Sequence, residues 1–123
     1  IDHLKKINDT YGHDGGDKIL KSLAKILTDN TKGRDVVARF GGEEFCVVLK
    51  KIAKEEAIKF FVNLRAKVAE NEVIIKDKIV RITVSIGISF GKGHCEIDDM
   101  LEACDSALYV AKENGRNRVE IAL

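Results

Sequence analysis

Residues 39–45 have the sequence RFGGEEF, which places two carboxylates, Glu43 and Glu44, directly after a pair of glycines. Carboxylate oxygens are the ligands that a hard cation such as Mg²⁺ prefers. The glycines carry no side chain, so a large ligand could lie close against the backbone there. The stretch therefore predicts a site for a cation and a bulky ligand, and an ordinary hairpin with two solvated acids is the alternative.

The residues around Gly41 and Gly42 predict a β-hairpin over residues 36–50. Apolar, β-prone residues flank the glycines on both sides, and glycine readily adopts the positive φ values that tight hairpin turns need. Successive side chains on a strand point to opposite faces, so Glu43 and Glu44 are expected to lie in different environments.

The other elements that must position these acids follow from hydrophobic periodicity. A short helical turn at residues 2–8 and a loop at 10–16 should precede the first long helix, with Asp14 as its N-cap. Helical spacing predicts helices at residues 15–28, 54–71 and 97–114, and strand patterns cover residues 73–75, 79–90 and 118–121. This order predicts an α+β fold in which helices cover a mainly antiparallel central sheet.

Three charged residues on the predicted helices have both a structural and a functional interpretation. Asp17 lies in a first turn, where the helix dipole favours acids, and Lys112 and Arg116 lie at the end of the last helix, where it favours cations. Lys112 and Arg116 are also four residues apart, so they point the same way and could share one anionic ligand.

The composition predicts one soluble globular domain. The chain has 123 residues, of which 45% are hydrophobic and 33% charged. A net charge of +1 provides no general attraction to nucleic acid or to a membrane surface. Three cysteines without a CxxC motif indicate reduced thiols in a reducing compartment. The histidines, His3, His13 and His94, lack metal-ligand spacing and are interpreted as structural or solvated.

Three separated stretches, taken together, resemble the GGDEF family of diguanylate cyclases. They are residues 2–13 (DHLKKINDTYGH) with Gly16-Asp17, residues 39–45 in the GGEEF form of the name-giving motif, and residues 105–112 (DSALYVAK) with Gly115-Arg116-Asn117. They occur in the family's order and span almost the whole chain. The resemblance implies a ferredoxin-like fold, similar to the palm of nucleotidyl cyclases and polymerases.

The resemblance also implies an activity. Two GTP molecules would condense to cyclic di-GMP with release of two pyrophosphates, with Mg²⁺ (or Mn²⁺) as cofactor, at the interface between two copies of the domain. The alternatives are a catalytically inactive relative that binds GTP or cyclic di-GMP as a regulatory module, and an α+β interaction domain that binds no GTP. No nucleic-acid partner and no membrane contact within this chain are expected.

Site residues are implied by the same resemblance. Glu43 corresponds to a metal-binding acid, Glu44 to a second acid that binds metal or deprotonates the attacking hydroxyl, and the Ile1 carbonyl to a further metal ligand. Asn8 and Asp17 correspond to residues that contact guanine, and Gly41 and Gly42 to the turn against the nucleotide. The phosphates would contact Lys112, Arg116 and the backbone near Leu4 and Lys5.

The chain departs from the family's pattern at two places. The family has a strand that ends in a metal-binding Asp just before the position of Ile1, so residues 1–123 are expected to be a single domain that lacks its first strand and an upstream sensor region. The full-length protein is expected in the cytoplasm, with or without a membrane tether. The family's inhibitory site corresponds to Lys32 and Asp35, with Arg34 one position displaced. Lysine cannot make the bidentate contact of arginine, which predicts weak or absent product inhibition.

Overall fold

Three helices and six short strands make up the computed structural model, which describes residues 1–33, 35–92 and 95–122. The elements, in chain order, are α1 (Leu4–Asn30), β1 (Val36–Gly41), β2 (Glu44–Val48), α2 (Lys54–Glu70), β3 (Val73–Ile75), β4 (Lys78–Val80), β5 (Ile86–Ile88), α3 (Ile97–Glu113) and β6 (Val119–Ile121). The mixture of helices and small sheets confirms the predicted α+β class.

The N-terminal helix differs most from the prediction. The span α1 begins at Leu4 after His3 and consists of two helical parts that meet at Gly12, whose φ of 77° and ψ of 175° are not helical, so the predicted loop at residues 10–16 is shortened to this break. Asp14 lies inside α1, so its predicted role as N-cap is wrong. The local turn preference of glycine is expressed at Gly12, where the positive φ separates the two helical parts.

The strands pair in twos. β1 and β2 form the predicted antiparallel hairpin, and β3 and β4 form a second one. β5 pairs with β6 in parallel. The predicted strand at residues 79–90 is divided into β4 and β5, and residues 81–85 join no ladder with other described residues. Within the described chain, the expected central sheet is therefore three two-stranded ladders.

The core lies between α1, α2 and the inner faces of β3 and β4. Its fully buried large side chains are Ile19, Val68 and Ile75. The backbones of α3 and β5 are in contact at Gly87. A Cβ atom there would collide with the carbonyl of Cys104 and lie 2.5 Å from the amide nitrogen of Leu108, so the missing side chain allows this close approach. This contact fixes the position of α3 and hence of the turn that follows it.

The three cysteines are free thiols, as predicted. Cys46 and Cys104 are half-buried, and Cys95 is exposed. Burial is the main cause that raises the pKa of the Cys46 thiol, with smaller contributions from Cys104 and Asp105. No helix in the described ranges is both long enough and apolar enough to cross a membrane.

Candidate functional site

An open cleft of about 700 Å³ lies between the first half of α1 and the tip of the β1–β2 hairpin. Most of the residues predicted for the site line it, although they come from sequence positions far apart. These are Leu4, Lys5, Asn8, Asp17, Gly41, Gly42, Glu43 and Glu44. The cleft also contains residues that the sequence analysis did not assign to a site, namely His13, Gly16, Leu20, Arg39 and Phe40.

The hairpin tip has a different geometry from the one predicted. Gly41 pairs with Glu44, so the two turn residues are Gly42 and Glu43 rather than the two glycines. The register shifts between Arg39 and Gly41, which leaves Phe40 as the extra residue of a β-bulge and 59% exposed. Glu43 is half-buried and Glu44 exposed. Their environments differ as predicted, because Glu43 belongs to the turn and Glu44 to the strand.

Glycine is required at Gly41, where φ is +142°, and favoured at Gly42, where φ is +43°. Arg39 holds the resulting turn closed. Its guanidinium donates two hydrogen bonds to the carbonyl oxygen of Gly42, from Nη2 at 2.7 Å and from Nε at 3.2 Å. The Gly42 carbonyl is thereby fixed on the side of Arg39, and the orientation of the peptide that leads into Glu43 is fixed with it.

Asn8 and Asp17 meet at the other wall of the cleft because α1 is kinked between them. The side chain of Asn8 lies against the helix backbone at Gly16, where a Cβ atom would collide with Oδ1 of Asn8 and lie 2.9 Å from its Cγ. Gly16 directly precedes Asp17 in the chain. The amide and the carboxylate thus lie on one surface, with the exposed imidazole of His13 beside them.

A second, apolar groove of about 160 Å³ begins on the other side of the two acids. Ile1, Glu43, Glu44 and Lys112 all line it, and both acids also line the cleft. The amino group of Ile1 donates a hydrogen bond to the Glu43 carbonyl at 3.1 Å. The acids therefore lie where the cleft and the groove meet, with the predicted phosphate-binding Lys112 on the groove side.

Asp2 is a buried anchor that the sequence analysis missed. Only 4% of its surface is exposed. Its carboxylate accepts hydrogen bonds from the hydroxyls of Thr83 (2.7 Å) and Ser85 (2.6 Å) and from the backbone N–H of Asn117 (3.1 Å). The sequence did contain a signal for these partners, because Thr83 and Ser85 lie two positions apart on the polar face of the predicted strand.

The hydrogen bonds to Asp2 keep its carboxylate ionised although it is buried. Burial by itself would raise the pKa of the Asp2 carboxyl, but the hydrogen bonds from Ser85, Thr83 and Asn117 outweigh it and place the pKa below its ordinary value. A buried carboxylate is tolerated when donors satisfy its oxygens, as they do here. Asp2 therefore fixes the start of the chain to the segment at residues 83–85 and to the turn after α3.

Three of the predicted site residues lie outside both cavities. Arg116 is exposed in the turn after α3. Lys32 and Asp35 lie at the opposite end of the hairpin, where the Asp35 carboxylate accepts hydrogen bonds from the backbone N–H groups of Lys32 (3.0 Å) and Lys50 (3.3 Å). The Asp35 carboxylate thus links the backbone at Lys32 to the backbone at Lys50. Arg34 and His94 fall outside the described residues.

The oxygen donors of Glu43 and Glu44 have the chemistry that Mg²⁺ or Mn²⁺ requires. No group of three or more His, Cys, Asp or Glu side chains able to hold a metal occurs in the described part of the chain. Mg²⁺ is commonly bound through one or two carboxylates together with substrate phosphates and water. The two acids fit that pattern, and the Ile1 carbonyl stays a prediction as a further ligand.

The chain is similar to known proteins over nearly its whole length. Residues 1–118 match the family described as diguanylate cyclase, GGDEF domain. Diguanylate cyclase A of Treponema denticola is 41% identical over 123 residues, which cover 99% of this chain and 33% of that protein. Diguanylate cyclase DosC of Escherichia coli is 35% identical over 122 residues, covering 98% of this chain and 26% of that protein. The chain therefore spans about a third or less of these relatives.

Solved structures show the same fold. The GGDEF domain of DgcB from Caulobacter crescentus, solved in complex with c-di-GMP, superposes with a TM-score of 0.93 at 32% identity over 99% of this chain and 73% of that one. The active GGEEF domain of a Vibrio cholerae diguanylate cyclase gives a TM-score of 0.82 at 34% identity, covering all (100%) of this chain and 78% of that one.

Replacing Arg39 by Ala should loosen the hairpin tip, because the Gly42 carbonyl loses both of its side-chain donors. We expect a loss of about 1 kcal/mol in the free energy of unfolding, the usual contribution of such hydrogen bonds, and faster amide exchange at residues 42–44. Arg39→Lys retains one donor and should fall between Ala and the parent. Exchange measured by NMR at unchanged rates in Arg39→Ala would contradict this role for Arg39.

Proposed function

The chain belongs to the GGDEF family of diguanylate cyclase domains, and we propose that it condenses two GTP molecules to cyclic di-GMP and two pyrophosphates. The observation that carries the proposal is the cleft itself. It gathers an amide, a carboxylate, a glycine turn and two further acids along one surface. That order of groups suits a guanine nucleotide, with its base at α1 and its phosphates at the hairpin tip.

Selection of guanine is assigned to Asn8 and Asp17. A carboxylate accepts hydrogen bonds from the N1–H and the exocyclic amine of guanine, and an amide can both donate and accept. Adenine offers no donor at the ring nitrogen, so it would leave the carboxylate without a partner, at a large cost in affinity. Contact between Asn8 and the backbone at Gly16 holds the amide in place before the base arrives.

The phosphates are assigned to the glycine turn, to Lys112 and to Arg116. Phosphoryl transfer depends mainly on positioning and on neutralisation of charge. Mg²⁺ or Mn²⁺, held by Glu43, Glu44 and the Ile1 carbonyl, would supply Lewis-acid stabilisation of charge on the phosphate oxygens. The Gly42 backbone is unobstructed, since a Cβ atom there would meet nothing within 4 Å, so a phosphate can approach it closely.

Glu44 is assigned the acceptance of the proton from the attacking hydroxyl. Its carboxylate is exposed at the rim of the cleft, where it can reach a hydroxyl held by a second copy of the domain. The 3′-oxygen of one GTP forms a bond to the α-phosphorus of the other, the bond to pyrophosphate breaks, and the hydroxyl proton passes to Glu44. One copy binds one GTP, so the reaction needs two copies face to face.

We also propose that residues preceding Ile1 in the full-length protein form a strand in the apolar groove. The groove runs between β2 and residues 84–87. Ile1 donates its N–H to the Glu43 carbonyl on one side, and Asp2 donates its N–H to the Thr83 carbonyl on the other. Successive residues of a central strand donate to opposite neighbours in this way. Such a strand would join the ladders into one sheet and lead to a sensor region.

A longer chain that includes this upstream segment should be more stable than residues 1–123. We expect a gain of about 3 kcal/mol or more in the free energy of unfolding, because burial of a single large apolar side chain contributes about 1.5–3 kcal/mol. Amides of β2 should also exchange more slowly. The control is an upstream extension of equal length made of Gly and Ser, measured by urea denaturation. Equal stability of the native and Gly/Ser extensions would disprove the strand.

The activity is tested by incubating the full-length protein with GTP and Mg²⁺ and separating the products by chromatography. Cyclic di-GMP and pyrophosphate are expected. Glu43→Gln should lower turnover at least about a hundredfold, since a lost metal ligand removes several kcal/mol of transition-state stabilisation. Its stability should be unchanged, because Glu43 lies in a turn and contributes little to the core. Glu55→Gln, an exposed acid at the start of α2, is the matched control.

Other outcomes separate the alternatives. GTP recovered unchanged, with tight nucleotide binding and a folded dimer, would identify a regulatory binding module. Absence of any GTP binding would leave only an interaction domain. Product formed by Glu43→Gln at the parental rate would refute the metal assignment.

Inhibition by cyclic di-GMP through Lys32 and Asp35 should be weak. Lys32 offers a point charge where a planar, bidentate donor is needed, and the Asp35 carboxylate already accepts two backbone hydrogen bonds. Calorimetric titration should therefore show weak binding of cyclic di-GMP by the parent and tighter binding by Lys32→Arg, with Lys50→Arg as a control of equal charge. Tight binding by the parent that Asp35→Ala abolishes would overturn this expectation.

A further inference from the structure

The turn after α3 has an unusual backbone. Gly115, Arg116 and Asn117 have consecutive positive φ values of +115°, +64° and +48°. Residues other than glycine rarely adopt this conformation, and arginine gains nothing from it locally. The surrounding structure must therefore impose the conformation on Arg116 and Asn117.

Three contacts hold this turn, one from the preceding helix and two from distant parts of the chain. The N–H of Arg116 donates to the carbonyl of Ala111 in α3 at 2.9 Å. The N–H of Asn117 donates to the buried carboxylate of Asp2 at 3.1 Å. On the opposite side, Nη1 of Arg65, from α2, donates to Oδ1 of Asn117 at 2.7 Å. Asn117 is thus held through its backbone by Asp2 and through its side chain by Arg65.

The hydrogen bonds of Arg116 involve only its backbone: its N–H donates to Ala111, and its carbonyl accepts from Nε of Arg118 at 3.2 Å. The Arg116 side chain makes no hydrogen bond or ion pair with any residue that the structure describes. Arg65, like Arg116, lines neither the cleft nor the groove, and its hydrogen bond goes to the side chain of Asn117. A charged side chain fixed only through its backbone is available for an external anion.

We propose that Arg65 is a positioning residue for Arg116: by holding Asn117 against Asp2, it fixes the left-handed turn that presents the Arg116 guanidinium to the phosphates of the substrate. This inference rests on the proposed function, because it assumes that Arg116 contacts those phosphates. The benefit is preorganisation. A turn already held in a strained conformation loses less conformational freedom when the triphosphate binds.

The test measures the affinity of the full-length protein for a non-hydrolysable GTP analogue and for guanosine, which has no phosphates. Arg65→Ala should weaken binding of the GTP analogue about three- to tenfold, the effect of one side-chain hydrogen bond, and should leave guanosine binding unchanged. Arg65→Lys, which retains a donor, should recover part of the loss. Arg81→Ala is the matched control, because Arg81 also donates one surface hydrogen bond, to Glu72 at 2.7 Å.

A second variant controls for a general loss of stability as the cause of weaker binding. Asn117→Gly tolerates the positive φ and keeps the N–H that donates to Asp2, but it removes the acceptor of Arg65. Its effect should equal that of Arg65→Ala, and the double variant should be no weaker than either single one. Adding Arg65→Ala to Arg116→Ala should likewise cause no further loss.

The outcomes distinguish this inference from the proposed function. If Arg116→Ala weakens binding of the GTP analogue but Arg65→Ala behaves like Arg81→Ala, the positioning role is wrong and the proposed function stands. Equal weakening of GTP-analogue and guanosine binding by Arg65→Ala would also overturn it, because that pattern reports lost stability. If Arg116→Ala has no effect, the phosphate contact in the proposed function fails and the inference fails with it.

Discussion

A buried carboxylate, Asp2, is the constraint on which the rest of the structure depends. Its oxygens accept hydrogen bonds from Thr83, Ser85 and Asn117, which belong to parts of the chain more than eighty residues away. An unpartnered charge at 4% exposure would cost several kcal/mol. The chain therefore has one low-energy arrangement here, with its first residues lying between the segment at residues 83–85 and the turn after α3. The turn after α3, which carries Arg116, is held by that arrangement.

The hairpin tip is a second constraint, and it is local. Two glycines with positive φ, a bulge at Phe40 and the Arg39 guanidinium on the Gly42 carbonyl together produce one turn geometry. The turn carries Glu43 inward and leaves Glu44 exposed. Two adjacent acids of the same chemistry are thereby given different surroundings, and this difference is what allows us to propose different roles for them.

The cleft and the groove meet at these acids. β2 and residues 81–85 face each other across this junction. Among the described residues, no strand pairs with either of them on the facing edge. Completion of the sheet and completion of the site would therefore be one event under the proposed function, because a strand entering the groove would pass beside Glu43. The membership of the chain in a family of longer proteins agrees with such an arrangement.

The sequence by itself determined the fold class, the hairpin, predicted at residues 36–50 and found at 36–48, and the ends of α2 and α3 to within one residue. Helical and alternating periodicity are local properties, so they survive without knowledge of the fold. The motif around Glu43 and the helix positions of Asn8 and Asp17 were visible for the same reason. The tertiary structure decided the shape of the hairpin turn at Gly42-Glu43, with Arg39 on it, and what depends on contacts between distant segments: the role of Arg65 and the burial of Asp2. A short acid near the start of a chain gives no local sign that it will be buried, because its partners Thr83, Ser85 and Asn117 come together only when the sheet and the turn after α3 are formed.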